Sequence, residues 1–198
     1  MQFAGVSFLI GANFLLFEHF TILALFNKLY MFHDAVVIGA ISYLILTGLG
    51  SVLITARWRW AGQLAGAACV VALVCFRPQL SPTATLVLVA PVAFVTGSFF
   101  PAVFEAADRN PLIVFAMDAI GASLGSIVAF FVPIAFGFRF FFPLAAAVFL
   151  VTAVATHLFF QTRQAGALKE ARWRLPFRVP WPAVLALMAA GFLGWIAL

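Results

Sequence analysis

Charge is scarce in this chain. Of its 198 residues only 9% are Asp, Glu, Lys or Arg, while 66% are hydrophobic. A water-soluble domain carries about 25% charged residues because its surface must be wetted. Too little charge is present to cover such a surface, so lipid is the expected outer solvent. Cysteine is equally sparse, at two residues. Cys69 and Cys75 lie in one apolar run. As helical residues they point in different directions and sit roughly 9 Å apart along the axis, which excludes a disulfide framework. They read as small apolar packing residues. Acidic residues number 6 against 11 Lys and Arg, for a net charge of +5. That balance raises nucleic acid as a partner. The basic residues, however, fall between apolar runs and form no patch, which makes them a topology signal. No nucleic-acid partner is expected.

Soluble-enzyme motifs are missing as well. Gly48-Leu49-Gly50 stands inside an apolar run, without the strand and helix that give a G-x-G-x-x-G its meaning. Neither a P-loop, an H-E-x-x-H pair nor a zinc-type Cys spacing is found. The serines have no base and orienting partner nearby in sequence, although triads assemble in space. No catalytic residue, metal or cofactor is therefore expected, and the chain reads as non-catalytic.

Long apolar runs are what the sequence does have. A hydrocarbon core of about 30 Å needs about 20 apolar residues in a helix. That length selects seven candidate spans: Phe3–Phe26, Asp34–Ala56, Ala61–Phe76, Thr83–Phe104, Leu112–Phe136, Phe140–Phe160 and Val179–Leu198. The third is short, and must borrow Trp58–Trp60 or thin the bilayer locally. Pro180 and Pro182 suit the first turn of the seventh. These runs are apolar all round, whereas a membrane barrel alternates lipid-facing and polar residues. The first run is too long, and lacks the basic leader, for an ordinary signal peptide. The expected fold is all-α: a polytopic transmembrane helical bundle of six to seven helices, forming one domain over residues 1–198.

The connections set its orientation. Arg57, Arg59, Arg109, Arg163, Lys169, Arg172, Arg174 and Arg178 occupy the second, fourth and sixth connections, against Lys28, Arg77 and Arg139 in the others. The positive-inside rule puts the even connections, and with them the N-terminus, in the cytoplasm. A bacterial inner membrane is the expected location. The polar stretch Gln161–Arg178 reads as a basic cytoplasmic loop, or as an interfacial helix with Trp173 at headgroup depth.

Ionisable groups inside spans are costly and therefore become candidates for function. Glu18, His19, Asp118 and His157 qualify. On a 1.5 Å rise, Glu18 lies about 22 Å and Asp118 about 9 Å from the inner end of their helices, too far apart in depth to pair directly. They read as two stations of a polar path or as two structural anchors. His19 and His157 fall toward opposite sides, which disfavours a shared haem iron. Asp34, beside His33, reads as a helix cap. In the fifth span Gly121 and Gly125 form a G-x-x-x-G with Ala122 and Ser126 beside them. Small residues of this kind let another helix approach closely. Asp118, three residues before Gly121, would lie in the same contact, ahead of Pro133, which loosens the helix, and Gly137, which ends it.

Three stretches carry a family resemblance. Gly97-Ser98-Phe99-Phe100-Pro101, Phe115-Ala116-Met117-Asp118-Ala119-Ile120-Gly121-Ala122-Ser123-Leu124-Gly125 and Val132-Pro133-Ile134-Ala135-Phe136-Gly137 resemble the membrane domain of the fused spermidine synthase-like proteins. That domain shows a G-x-x-F-P turn, an A-x-D-x-x-G-A-x-x-G helix and a P-x-x-G exit. Gly11, Glu18 and Gly48-Leu49-Gly50-Ser51 extend the likeness over most of residues 8–160. It implies a membrane fold with Glu18 and Asp118 on motif positions. The aminopropyltransferase domain of the fused members has no counterpart within these residues, and Thr21-Ile22-Leu23 stand where the family has a basic residue. Synthase activity is therefore not implied.

Two functions remain. In the first the chain is a non-catalytic accessory subunit, packing within a larger membrane complex. Its 25 Phe offer apolar area to lipids, pigments, quinones or partner helices. In the second it is a small transporter or channel for a cationic or amine-like solute. Glu18 and Asp118 would then bind the ion, with breaks at Pro101 and Pro133 like the interrupted helices of transporters.

Overall fold

A computed structural model describes residues 2–26, 28, 29, 31–54, 58–76, 79–106 and 111–167. These form six helices: α1 Gln2–Phe26, α2 Phe32–Leu53, α3 Arg59–Phe76, α4 Pro82–Ala106, α5 Pro111–Phe136 and α6 Phe138–Ala167. All six are long and apolar enough to cross a membrane. The protein is an all-helical membrane protein, and no strand occurs among the described residues. In hydrocarbon the backbone must satisfy its own polar groups, which is what a helix does. The seventh candidate span, Val179–Leu198, lies outside the described residues. Of the basic segment 161–178, the residues up to Ala167 continue α6, and the rest also lies outside.

α3 borrows Arg59 and Trp60, one of the two courses expected for the short span, and reaches 18 residues, about 27 Å of rise. Other boundaries depart from the sequence expectation for local reasons. α2 stops at Leu53 because Ile54 is extended, its N–H bonding back to the Gly50 carbonyl at 3.2 Å. Asp34 does not cap α2. The N-cap is Met31, which makes no side-chain cap bond, and Asp34 sits in the first turn. There its charge suits the positive end of the helix dipole. The expected breaks at Pro101 and Pro133 are not breaks: Pro91 and Pro101 are carried inside α4, and Pro133 inside α5. Membrane helices tolerate proline where neighbouring helices and hydroxyls re-satisfy the freed carbonyl. Gly137 does end α5. Its φ of 79° is a left-handed conformation that glycine adopts without strain, and its N–H meets the Pro133 carbonyl at 3.0 Å.

Burial sorts the helices into centre and rim. The buried share falls from 56% in α1, 50% in α4 and 44% in α6 to 22% in α2 and α3 and 17% in α5. An aromatic stack fills the middle. Phe17 lies 4.6 Å from Phe20 and 5.6 Å from Phe149, and Phe20 meets Phe142 edge-on at 4.9 Å. Such pairs contribute about 0.5–1.5 kcal/mol each beyond their area.

Contacts at the helix ends fix the alternation of direction. At one end Lys28, after α1, donates to the carbonyl of Leu80, just before α4. At the other, Arg59 at the start of α3 lies 4.6 Å over the Phe160 ring of α6 and near Glu105 at the end of α4. α1 thus ends where α4 begins, and α3 begins where α4 and α6 end.

Candidate intramembrane polar site

Glycine determines which helices touch most closely. A Cβ built on Gly11 would stand 1.9 Å from the Asp118 carbonyl oxygen, and one on Gly121 would stand 2.0 Å from that of Phe8. Gly125 faces Ala12 in the same way, at 2.5 Å. Each glycine of one helix thus receives a carbonyl of the other, an arrangement that recurs with Cα–H···O contacts at helix interfaces. α2 and α4 repeat it, with Gly50 against Phe94 and Gly97 against Thr47 at 1.8 and 1.9 Å. The sequence motif on α5 is therefore used inside the molecule. Gly121 and Gly125 are buried against α1, with Ala122 and Ser126 half-buried beside them.

The same pairing fixes the depths of the ionisable groups. Gly121 against Phe8 and Gly125 against Ala12 align the two helices in parallel. Asp118 is then level with about residue 8 of α1, roughly 15 Å along the axis from Glu18. Both carboxylates are half-buried, and the structure does not bring them together. Nor does it bring the histidines together. Thr152 reaches the Leu9 carbonyl and Phe142 meets Phe20, so His19 and His157 lie about 20 Å apart in depth. His19 Nδ1 sits 2.9 Å from the Leu15 carbonyl, and His157 pairs with Gln161 at 2.8 Å. Among the described residues no group of three or more His, Cys, Asp or Glu could hold a metal.

A neutral cluster near Glu18, which the sequence reading passed over, is the most unusual chemistry in the bundle. Most buried hydroxyls are satisfied by their own helix: Thr21 donates to Phe17, Ser98 to Val95 and Thr156 to Thr152, at 2.7–2.9 Å. Asn13, Tyr43 and Thr96, from α1, α2 and α4, are fully or almost fully buried. Asn13 Nδ2 donates to Thr96 Oγ1 at 3.4 Å, Asn13 Oδ1 has no hydrogen-bond partner, and the Tyr43 hydroxyl lies beside Thr96 without good hydrogen-bond geometry. Tyr43 is wedged edge-on against Phe14 at 5.5 Å, with Glu18 near it. An unpartnered buried polar group costs about 1–3 kcal/mol, so Asn13 Oδ1, and a Tyr43 hydroxyl poorly bonded to the same threonine, need a reason. The signal was available in sequence as an amide inside an apolar run, but a search confined to ionisable groups misses it.

Compared with known proteins, the chain matches no family model, no curated protein and no solved structure.

Proposed function

We propose that this chain is a non-catalytic accessory subunit that packs, through its peripheral helices, within a larger assembly of a bacterial inner membrane. One observation supports this above the others. α5 commits its Gly121 and Gly125 stripe to α1, yet presents a second small-residue stripe, Ala116, Ala119 and Ser123, on its exposed side. Lipid gives helices no hydrophobic drive to associate, so small residues that admit a close neighbour are what an intramembrane interface needs. Around that stripe Ile120, Leu124 and Ile127 add exposed apolar area, suited to partner helices, lipids, pigments or quinones. The basic even connections face the cytoplasm in this reading, and the N-terminus with them. The resemblance of its motifs to the spermidine synthase-like membrane domain, without a synthase domain in these residues, accords with it. Purification in a mild detergent tests the proposal: a partner should co-purify, and Ala119→Phe with Ser123→Phe should release it while helicity is kept. A protein that runs alone, or a partner indifferent to both substitutions, refutes it.

A second reading is favoured by the unpartnered Asn13 amide oxygen and by the Tyr43 hydroxyl, poorly bonded to Thr96 and near Glu18. Oxygen donors inside a membrane suit a cationic or amine-like solute, with Asp118 as a separate station on its path. Glu18→Gln and Asp118→Asn in reconstituted vesicles decide it. Unchanged flux in both excludes transport through these carboxylates.

A further inference from the structure

A crevice of about 450 Å³ lies between α2, α3 and α4, and its lining is almost wholly apolar. Its floor is made of small residues, Ala61, Gly62 and Ala65 on α3 and Ala90 on α4. Ala65 and, three residues further along α3, Ala68 are exposed. The outer surface of α2, by contrast, carries large side chains such as Ile41, Ile45 and Val52. This bundle places small residues where two helices come closest: Gly11 and Gly121 between α1 and α5, Gly50 and Gly97 between α2 and α4. An exposed small-residue floor is thus shaped for the close approach of one more helix.

The chain itself supplies a candidate. α6 runs to Ala167, and residues 168–198 follow it. Residues 179–198 are the seventh apolar run, long enough for a hydrocarbon core of about 30 Å. Its small residues Ala183, Ala186, Ala190, Gly194 and Ala197 are spaced by three and four, which in a helix puts all five on one face. The point of departure also fits. α6 meets the start of α3 where Arg59 lies 4.6 Å over the Phe160 ring. The crevice extends to that same end, where it is lined by Ile54 after α2 and Trp58 before α3. Residues 168–178 can span about 36–40 Å when extended, several times the separation of about 8–10 Å between packed helices. The run can therefore start over the crevice.

From these features we infer that residues 179–198 form a seventh helix seated in the α2–α3–α4 crevice, parallel to α3, with its stripe of small residues against Ala61 and Ala65. The inference does not rest on the subunit reading, whose interface is the outer stripe of α5. The seated helix covers the exposed face of α3, the shortest of the six helices, and carries Leu198 to the end at which α1 stops and α4 starts.

Disulfide cross-linking in the whole chain tests this. Cys69 and Cys75 are replaced by alanine, and a specific protease sequence is inserted between Glu170 and Ala171. Ala65 lies six residues past Arg59 and Ala186 six past Pro180, so in parallel helices both are about 9 Å deep. On mild oxidation Ala65→Cys and Ala186→Cys should join within one chain, because small residues let the Cβ atoms reach the separation of about 3.5–4.5 Å that the bond needs. After cleavage the C-terminal fragment should stay attached until reductant is added. Ala61→Cys with Ala183→Cys, one turn nearer the surface, should behave alike. Ala65→Cys with Val184→Cys, on the far side of the helix, should release the fragment without reductant. Leu198→Cys should react with an impermeant maleimide from the same side as Met31→Cys. Absence of a disulfide in both facing pairs overturns the inference, as does equal cross-linking to Val184→Cys. A product of twice the mass before cleavage would put a second copy of the chain in the crevice and overturns it as well. So does cross-linking of Ala186→Cys to Ala116→Cys in place of Ala65→Cys, which would seat the segment on α5.

Discussion

Substituting Gly121 by alanine puts the closest contact of the fold to the test. The new Cβ would arrive 2.0 Å from the Phe8 carbonyl oxygen and 2.8 Å from its carbon, against the 3.4–4 Å of ordinary contact. The obstructing atoms belong to α1 backbone, so no side chain can rotate away, and α5 must retreat by about 1 Å or more. Overpacking of this kind costs about 1–3 kcal/mol, to which the lost Cα–H···O contacts add about 0.5–1 kcal/mol each. Alanine returns up to about 1 kcal/mol of helix propensity. The same propensity term applies at Gly5 and Gly48, where an added Cβ would meet nothing within 4 Å. Measured by reversible unfolding in mixed micelles, Gly121→Ala should therefore fall about 2–4 kcal/mol below Gly48→Ala. Gly11→Ala should behave like Gly121→Ala, and Gly125→Ala should be milder because its nearest approach is 2.5 Å. Equal stability of the Gly121 and Gly48 variants would refute the α1–α5 crossing.

Further outcomes follow from single positions. Gly137→Ala places a side chain at a φ of 79° and should cost about 1–2 kcal/mol in the same titration, against the gain expected at Gly48. Tyr43→Phe removes a hydroxyl that is only poorly bonded to Thr96. Stability should be unchanged or raised by up to about 1 kcal/mol, whereas a solute site at this cluster would lose flux in reconstituted vesicles. Asn13→Leu should cost no more than about 1–2 kcal/mol, because intramembrane hydrogen bonds average well under that. A larger loss would mean that the cluster organises the bundle.

The helices were legible because hydrocarbon imposes a length and forbids unsatisfied backbone, so apolar runs of about 20 residues have few other uses. Their ends were less so. α3 borrows Arg59 and Trp60 as its short apolar run allowed, but Pro101 and Pro133 stay helical because surrounding helices decide what a proline does. The Gly121–Gly125 stripe could be read as a packing face, but its partner could not. Gly11 is a lone glycine in α1, and only its register against Asp118 gives it meaning. The depth separation of Glu18 and Asp118 could be calculated from rise per residue alone. The Asn13–Tyr43–Thr96 cluster could not, since it draws one residue from each of three helices separated by 30 or more positions in the chain.

Six crossings of the bilayer, the short α3 included, are the claim on which the rest stands. Single cysteines at Met31, Trp58 and Ser81, in a protein with Cys69 and Cys75 replaced by alanine, can be labelled with a membrane-impermeant maleimide in sealed vesicles of known sidedness. Met31→Cys and Ser81→Cys should react from one side and Trp58→Cys only from the other. Labelling of all three from the same side would contradict the account.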